Sequence, residues 1–209
     1  MGTRPRLVLI SEDSPSEPHR AALAALLPHL SGIVDVVVLR WRSAPAHRVF
    51  ESARCLAELE GRPRLILSER FDLALAARLD GVQLPETGLP AEDVRRCWPD
   101  ALIGVSRHDA SGVLDRSGGA DFVLLGAVFA TKSKPGAVPL GIDAFAQITS
   151  AAVGSGCSAE MLALGGVDLR RVPGLIRAGA AGVAVRSAIL DARDPVEVAR
   201  RFRSTLDAA

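Results

Sequence analysis

Tyrosine is absent from this 209-residue chain, tryptophan occurs twice, and aromatics make up 4% of it. That scarcity removes the stacking platforms on which single-strand nucleic-acid binders rest. Neither sign of charge dominates: Lys+Arg 25 faces Asp+Glu 24, for a net charge of +1. Duplex nucleic acid and anionic membrane surfaces are therefore not expected partners. The three cysteines, Cys55, Cys97 and Cys157, are far apart and lack CxxC or Cys/His ligand spacing, which argues against a disulfide framework or structural zinc. A reduced, cytoplasmic setting fits them. No apolar run approaches the roughly 18 residues of a membrane span. The opening stretch, with Leu7 to Ile10 followed at once by Ser11, Glu12 and Asp13, is too short and too soon acidic for a signal peptide.

What is present is a composition of 48% hydrophobic and 23% charged residues, ordinary for a globular enzyme. Short apolar runs of strand length recur along it: Leu7 to Ile10, Ile33 to Leu39, Leu65 to Leu67, Gly81 to Leu84, Leu102 to Val105, Phe122 to Leu125, Met161 to Leu164 and Gly182 to Val185. Helix-like stretches separate them: Pro18 to Leu30, Ala46 to Leu59, Asp72 to Arg78, Ala91 to Cys97, Asp109 to Ser117, Asp143 to Ala152, Leu169 to Ala178 and Pro195 to Leu206. Eight βα units at about 26 residues each predict a compact (β/α)8 TIM barrel, one domain over residues 1–209. An open doubly wound sheet has a similar rhythm. It usually carries a GxGxxG turn after its first strand, where this chain has Ser11-Glu12-Asp13-Ser14.

In a barrel the chemistry sits just past the C-terminal strand ends. Those positions hold Ser11, Glu12 and Asp13 after strand one, Arg40, Trp41 and Arg42 after two, Ser68 and Glu69 after three, Gln83 and Glu86 at four, and Ser106, Arg107 and His108 at five. Gly165 and Gly166 follow strand seven, and Arg186 and Ser187 follow strand eight. This last group reads as a phosphate site: glycines let backbone N–H groups approach an anion, and a helix start aims more donors at it. Of the basic residues only Lys132 and Lys134 are lysine, both in the Thr131-Lys132-Ser133-Lys134-Pro135 loop after strand six. A pair of compact cations there suits a lid over an anionic ligand. Three histidines, His19, His29 and His47, read as surface residues. His108 stands where an acid/base group would act near neutral pH.

Five stretches taken in order resemble a known family, the thiamine phosphate synthase and thiazole tautomerase superfamily of small barrels. They are Leu39-Arg40-Trp41-Arg42, Asp80-Gly81-Val82-Gln83-Leu84, Gly104-Val105-Ser106-Arg107-His108, Gly126 through Pro135, and Leu164-Gly165-Gly166 with Val185 through Leu190. The resemblance implies a small phosphorylated thiazole as ligand and a homodimer as the family expectation. Two reactions come with it. The synthase joins a pyrimidine pyrophosphate to a thiazole phosphate and uses Mg²⁺. Its two metal carboxylates fall here on Glu69 and Gly88, and its pyrimidine-contacting Gln on Val38. The tautomerase aromatises a carboxythiazole phosphate by proton transfer with no metal. Its Arg-x-Arg-Ser matches Arg40, Arg42 and Ser43, its Val-Gln-Leu-Pro matches Val82 to Pro85, and its catalytic His falls on His108. The tautomerase is thus the leading expectation, with His108 catalytic, no metal and no cofactor. Substrate contacts are then expected from Arg40, Arg42, Ser68, Glu69, Gln83, Ser106, Thr131, Lys132 and Lys134, with Gly165, Gly166, Arg186 and Ser187 on the phosphate. The lysine loop and Ser106 resemble the synthase, which stays as the alternative beside a non-catalytic thiazole phosphate-binding relative.

Overall fold

The computed structural model describes residues 4–131, 136 and 138–209. Its parallel strands are β1 (Leu7–Ile10), β2 (Val36–Leu39), β3 (Arg64–Ser68), β4 (Gly81–Leu84), β5 (Leu102–Arg107), β6 (Phe122–Gly126), β7 (Glu160–Leu164) and β8 (Gly182–Val185). They pair in chain order, and β8 returns to β1 with Val8 opposite Ala184. That last pairing closes the barrel and removes the open-sheet alternative. Around it run α1 (Glu17–Leu26), α2 (Ala46–Ala57), α3 (Phe71–Ala76), α4 (Ala91–Cys97), α5 (Ala110–Arg116), α6 (Ile142–Gly154), α7 (Val172–Arg177), α8 (Ser187–Leu190) and α9 (Pro195–Asp207). No helix among the described residues is long and apolar enough to cross a membrane.

Most differences from the expected boundaries have local causes. The stretch 18–30 is α1 followed by a 3-10 turn over Leu27–Leu30 that carries Pro28, which has no N–H to give an α-helical ladder. Ile33 and Val34 belong to the turn that follows, both donating to the Leu30 carbonyl, so β2 starts only at Val36. In the stretch 169–178, Asp168 accepts the Arg171 N–H at 3.1 Å and the helix begins at Val172.

Alternation along the strands sorts side chains into two shells. Val8, Ile10, Val36, Val38, Ile66, Phe122, Leu124, Leu162 and Ala184 fill the barrel. Their neighbours in sequence, such as Leu7, Leu9, Val37, Leu65, Val123 and Val183, face outward under the helices. Gly104 is required by this packing: a Cβ there would sit 2.1 Å from Gln83 Oε1 and 2.4 Å from Cζ of Phe122.

The N-terminal rim is fastened by one device used three times. Asp35, just before β2, accepts the N–H groups of Arg6 and Leu7 at 2.8 Å each and pairs with Arg203 at 2.7 Å. Asp80 accepts Leu65 N–H at 2.7 Å and pairs with Arg62 at 2.6 Å. Asp121 accepts Ile103 N–H at 2.7 Å and pairs with Arg95 at 2.8 Å. Each carboxylate ties the start of an even strand to the strand before it and to an arginine from the helical layer or its flanking loop. Replacing Asp35 by Ala strands the buried Leu7 N–H, and we expect a loss of about 2 kcal/mol in urea unfolding. Asp35→Asn, which keeps an acceptor, should lose clearly less. Equal losses would show that charge, rather than the backbone bonds, holds this rim.

Candidate functional site

The inward parity of the barrel layers continues past the strand ends, and it selects the residues that meet at the mouth. Counting on in twos from Val38, Ile66, Leu102 and Ala184 reaches Arg40, Ser68, Ser106 with His108, and Arg186. A cavity of about 270 Å³ opens at this end, lined by Arg40, His108, Thr131, Gly165, Gly166, Arg186 and Ser187 together with Ile10, Gly126, Ala127, Leu164, Val167, Ala184, Val185 and Ala188. Seven residues expected from the sequence are therefore brought together. Its floor is apolar, and its charged groups are Arg40 and Arg186.

The other expected residues divide into two groups. Ser68, Gln83 and Ser106 lie together on β3, β4 and β5, with Gln83 Nε2 donating to Ser106 Oγ at 3.1 Å, and none of the three lines the cavity. Gln83 is buried, and its Oε1 has no hydrogen-bond partner among the described residues. Arg42 and Glu69 stand outside the cavity as an ion pair with N–O 2.6 Å. Lys132 and Lys134 lie outside the described residues.

The local folding around each group is explicit. His108 sits between the end of β5 and Asp109, the N-cap of α5, whose Oδ1 accepts Gly112 N–H at 2.8 Å and Ser111 Oγ–H at 2.9 Å. Those bonds, the Gly112 amide first, hold the Asp109 carboxyl below its ordinary pKa. His108 is exposed at the cavity, while His19, His29 and His47 are exposed elsewhere on the surface. Arg107 has the opposite parity. It turns out of the barrel, is 4% exposed, and donates to the carbonyls of Gly112, Ser106 and Arg116, so it fastens α5 rather than meeting a ligand. Burial pushes its pKa down, with repulsion from Arg116 adding to it.

Asp13 is a residue the sequence reading left out of the site. Its carboxylate accepts from Arg40 Nη1 at 2.8 Å and from the Arg42 backbone N–H at 3.0 Å, so it sets the course of the chain leaving β2. The signal was available: β1 and β2 pair with Ile10 opposite Val38, so the residues that follow each strand must meet.

Gly165 and Gly166 have φ of 97° and 62°, in the left-handed region. The structure gives them a packing role that the sequence pattern does not show. A Cβ on Gly165 would lie 2.5 Å from Ala127 Cβ, and one on Gly166 2.5 Å from the Ala130 carbonyl oxygen. The turn after β7 is thus pressed against the segment after β6, to which it is zipped by Val128 N–H on the Leu164 carbonyl (2.8 Å) and Phe129 N–H on that of Gly165 (3.1 Å).

A divalent cation of the synthase type would need acidic oxygens at the ends of β3 and β4. Glu69 is engaged by Arg42, and Gly88 brings no carboxylate. Glu86 is turned toward α5, its Oε1 3.1 Å from where a Gly112 Cβ would lie. No cluster of three or more His, Cys, Asp or Glu suited to a metal occurs among the described residues. This donor set does not fit the ion.

Comparison with known proteins agrees with the barrel and names a family. The profile described as thiamine monophosphate synthase matches residues 7–189. A protein of Geobacter sulfurreducens named putative thiamine-phosphate synthase is 40% identical over 192 residues, covering 90% of this chain and 88% of its own. The thiamine-phosphate synthase of Chloroflexus aurantiacus is 35% identical, over 89% and 84% of the two chains. Among solved structures, thiamine phosphate pyrophosphorylase from Pyrococcus furiosus superposes with a TM-score of 0.80 at 24% identity, covering 98% of this chain and 96% of that one. A 3-hexulose-6-phosphate synthase reaches 0.67 at 18% identity, over 95% and 98%. Both of these likenesses speak for the fold alone.

Gly166→Ala should lower the melting temperature and, if this turn meets an anion, weaken binding of inorganic phosphate at least tenfold, because it combines positive φ with a backbone clash. Gly154→Ala, at the end of α6 with open space around it, should leave both unchanged. Unaltered binding in Gly166→Ala would remove this turn from the site.

Proposed function

Because the chain belongs to the thiamine monophosphate synthase family, we propose that it is a condensing transferase of thiamine assembly, joining a pyrimidine pyrophosphate to a thiazole phosphate. The single observation that carries the reading is the cavity between β6, β7, β8 and β1, which pairs an apolar floor with Gly166, Arg186 and Ser187 at one end. The relatives are named for thiamine phosphate synthesis, and the resemblance to that family implies the two substrates.

In this reading the thiazole phosphate lies with its ring on Ile10, Leu164 and Ala184 and its phosphate on the Arg186 guanidinium, the Ser187 hydroxyl and the backbone N–H groups at the start of α8. Charge-assisted bonds of this kind are the strong ones. The thiazole nitrogen attacks the methylene carbon of the pyrimidine. A C–N bond forms, the C–O bond to pyrophosphate breaks, and pyrophosphate leaves with the electron pair. The protein's contribution is orientation and neutralisation of charge. Arg40 and Arg42 are the cations at hand, and each is held by a carboxylate, Asp13 and Glu69, in a partly exposed pair. Such pairs contribute only about 0–1 kcal/mol, so a phosphate oxygen can replace the carboxylate at small cost.

A second reading has its own observation. His108 lines the same cavity while no acidic cluster suited to a metal occurs among the described residues, and both observations suit a thiazole tautomerase. There His108 would move the ring proton and Arg40 would meet the substrate carboxylate.

Incubating the enzyme with both synthase substrates and assaying thiamine phosphate, with Mg²⁺ and with a chelator, decides between them. Product formation that falls 10-fold or more in Arg42→Ala and persists in His108→Ala is the expected result. No thiamine phosphate, together with aromatisation of a carboxythiazole phosphate that disappears in His108→Ala, would overturn the transferase in favour of the tautomerase.

A further inference from the structure

We propose that Arg171 is a positioning residue for the phosphate end of the cavity, acting through the backbone of the turn after β7; the inference deepens the function proposed above and rests on it for the identity of the ligand. Arg171 lies outside the cavity, in the cap that precedes α7. Its guanidinium Nη1 donates to the Gly166 carbonyl. The same guanidinium stacks over the Phe129 ring with its carbon 4.2 Å from the centroid. Its Nε is 3.8 Å from Asp168 Oδ2, and its own backbone N–H is held by Asp168 Oδ1. Burial raises the Asp168 carboxyl pKa, but hydrogen bonds from Arg170 and from the Arg171 backbone together outweigh it and leave the carboxyl below its ordinary value.

The geometry turns these contacts into an effect on the site. In a trans peptide the C=O and the following N–H point in opposite directions. A guanidinium that holds the Gly166 oxygen from outside therefore directs the Val167 N–H the other way, and Val167 lines the cavity. The N–H groups of Gly165, Gly166 and Val167 make no hydrogen bond to another described protein group, so they are donors available to an anion. Both glycines have positive φ and no side chain to anchor them, so the orientation of this turn has to come from its neighbours. Phe129 provides the other half. Its N–H bonds the Gly165 carbonyl and its Cβ lies 2.8 Å from where a Gly166 Cβ would be. By gripping Gly166 and stacking on Phe129 at once, Arg171 clamps the turn after β7 to the segment after β6, two residues ahead of Thr131. The carbonyl bond, the stack and the Asp168 pair all act on one guanidinium, whose flat shape makes stacking and donating compatible.

The test titrates three probes into wild type, Arg171→Ala, Arg171→Lys and Phe129→Ala: thiazole phosphate, its unphosphorylated alcohol and inorganic phosphate. Loss of the clamp should weaken thiazole phosphate about tenfold in Arg171→Ala, with a smaller loss in Phe129→Ala and partial recovery in Arg171→Lys, which keeps a donor but not the planar stack. Inorganic phosphate should weaken in parallel, while the alcohol should be unaffected. In turnover the loss should appear in KM for the phosphorylated substrate with kcat nearly unchanged. Wild-type affinity for thiazole phosphate in Arg171→Ala, or an equal loss for the phosphate and the alcohol, would overturn the positioning role. Wild type that binds inorganic phosphate but not thiazole phosphate would sink the proposed function instead, leaving the clamp to stand or fall on the inorganic phosphate arm. Wild type that binds neither overturns both.

Discussion

Barrel closure is the constraint from which the rest follows. Once β8 pairs with β1, the inward or outward sense of every strand residue is fixed by a register that has no free edge along which to slip. The inward set is apolar through the body of the barrel, from Val8 and Val36 to Leu124 and Ala184. The same parity, carried one or two residues further, delivers Arg40, Ser68, His108 and Arg186 to the mouth. Core packing and ligand chemistry are therefore one alternating pattern read at two heights. Arg107 illustrates the rule from the other side: one residue away from His108, it is committed to three backbone carbonyls behind the barrel wall.

The two ends of the barrel use the same residue types differently. At the N-terminal rim, Asp35, Asp80 and Asp121 accept strand N–H groups as well as arginines, so each carboxylate is consumed by the scaffold. At the C-terminal mouth the carboxylates of Glu12, Asp13 and Glu69 face Arg186, Arg40 and Arg42. Only Asp13 also takes a backbone N–H. Stability is concentrated where exchange would be harmful, and replaceable pairs lie where a ligand must enter.

How much of this could be read beforehand depended on whether a feature is local in sequence. Strand runs and their polar ends are local, and Leu7–Ile10, Gly81–Leu84 and Gly182–Val185 fall where the apolar pattern puts them. That Gly165, Gly166, Arg186 and Ser187 share one cavity was legible as well, since they sit at strand ends that are adjacent in any barrel of this order. What escaped depends on contacts between segments. Arg171 lies in a helix-like stretch, and nothing in its neighbours says that it reaches Gly166 and Phe129. The glycines were read as room for an anion, whereas their Cβ positions are also filled by Ala127 and Ala130. The tautomerase is the leading expectation from the sequence, whereas the relatives are named for the synthase; the partition turns on one or two carboxylates rather than on the fold.

The ion pairs at the mouth bear on that partition. Two arginines that line the cavity and a third beside it are each matched by a carboxylate from an adjoining strand end: Arg186 with Glu12 at 4.0 Å, Arg40 with Asp13 at 2.8 Å and Arg42 with Glu69 at 2.6 Å. The guanidinium groups are thereby held in place, and the mouth stays close to neutral. An incoming phosphate or carboxylate then trades places with an acidic side chain. The exchange swaps one charge-assisted contact for another and needs little new desolvation. Glu69 gains a further meaning in this scheme. In the resting arrangement Arg42 occupies it, and an anion that captured Arg42 would free its carboxylate beside the bound phosphate oxygens. On the reading proposed above, a chain with one such carboxylate and Gly88 in the other place would meet anionic substrates with guanidinium groups first, whichever of the two reactions follows.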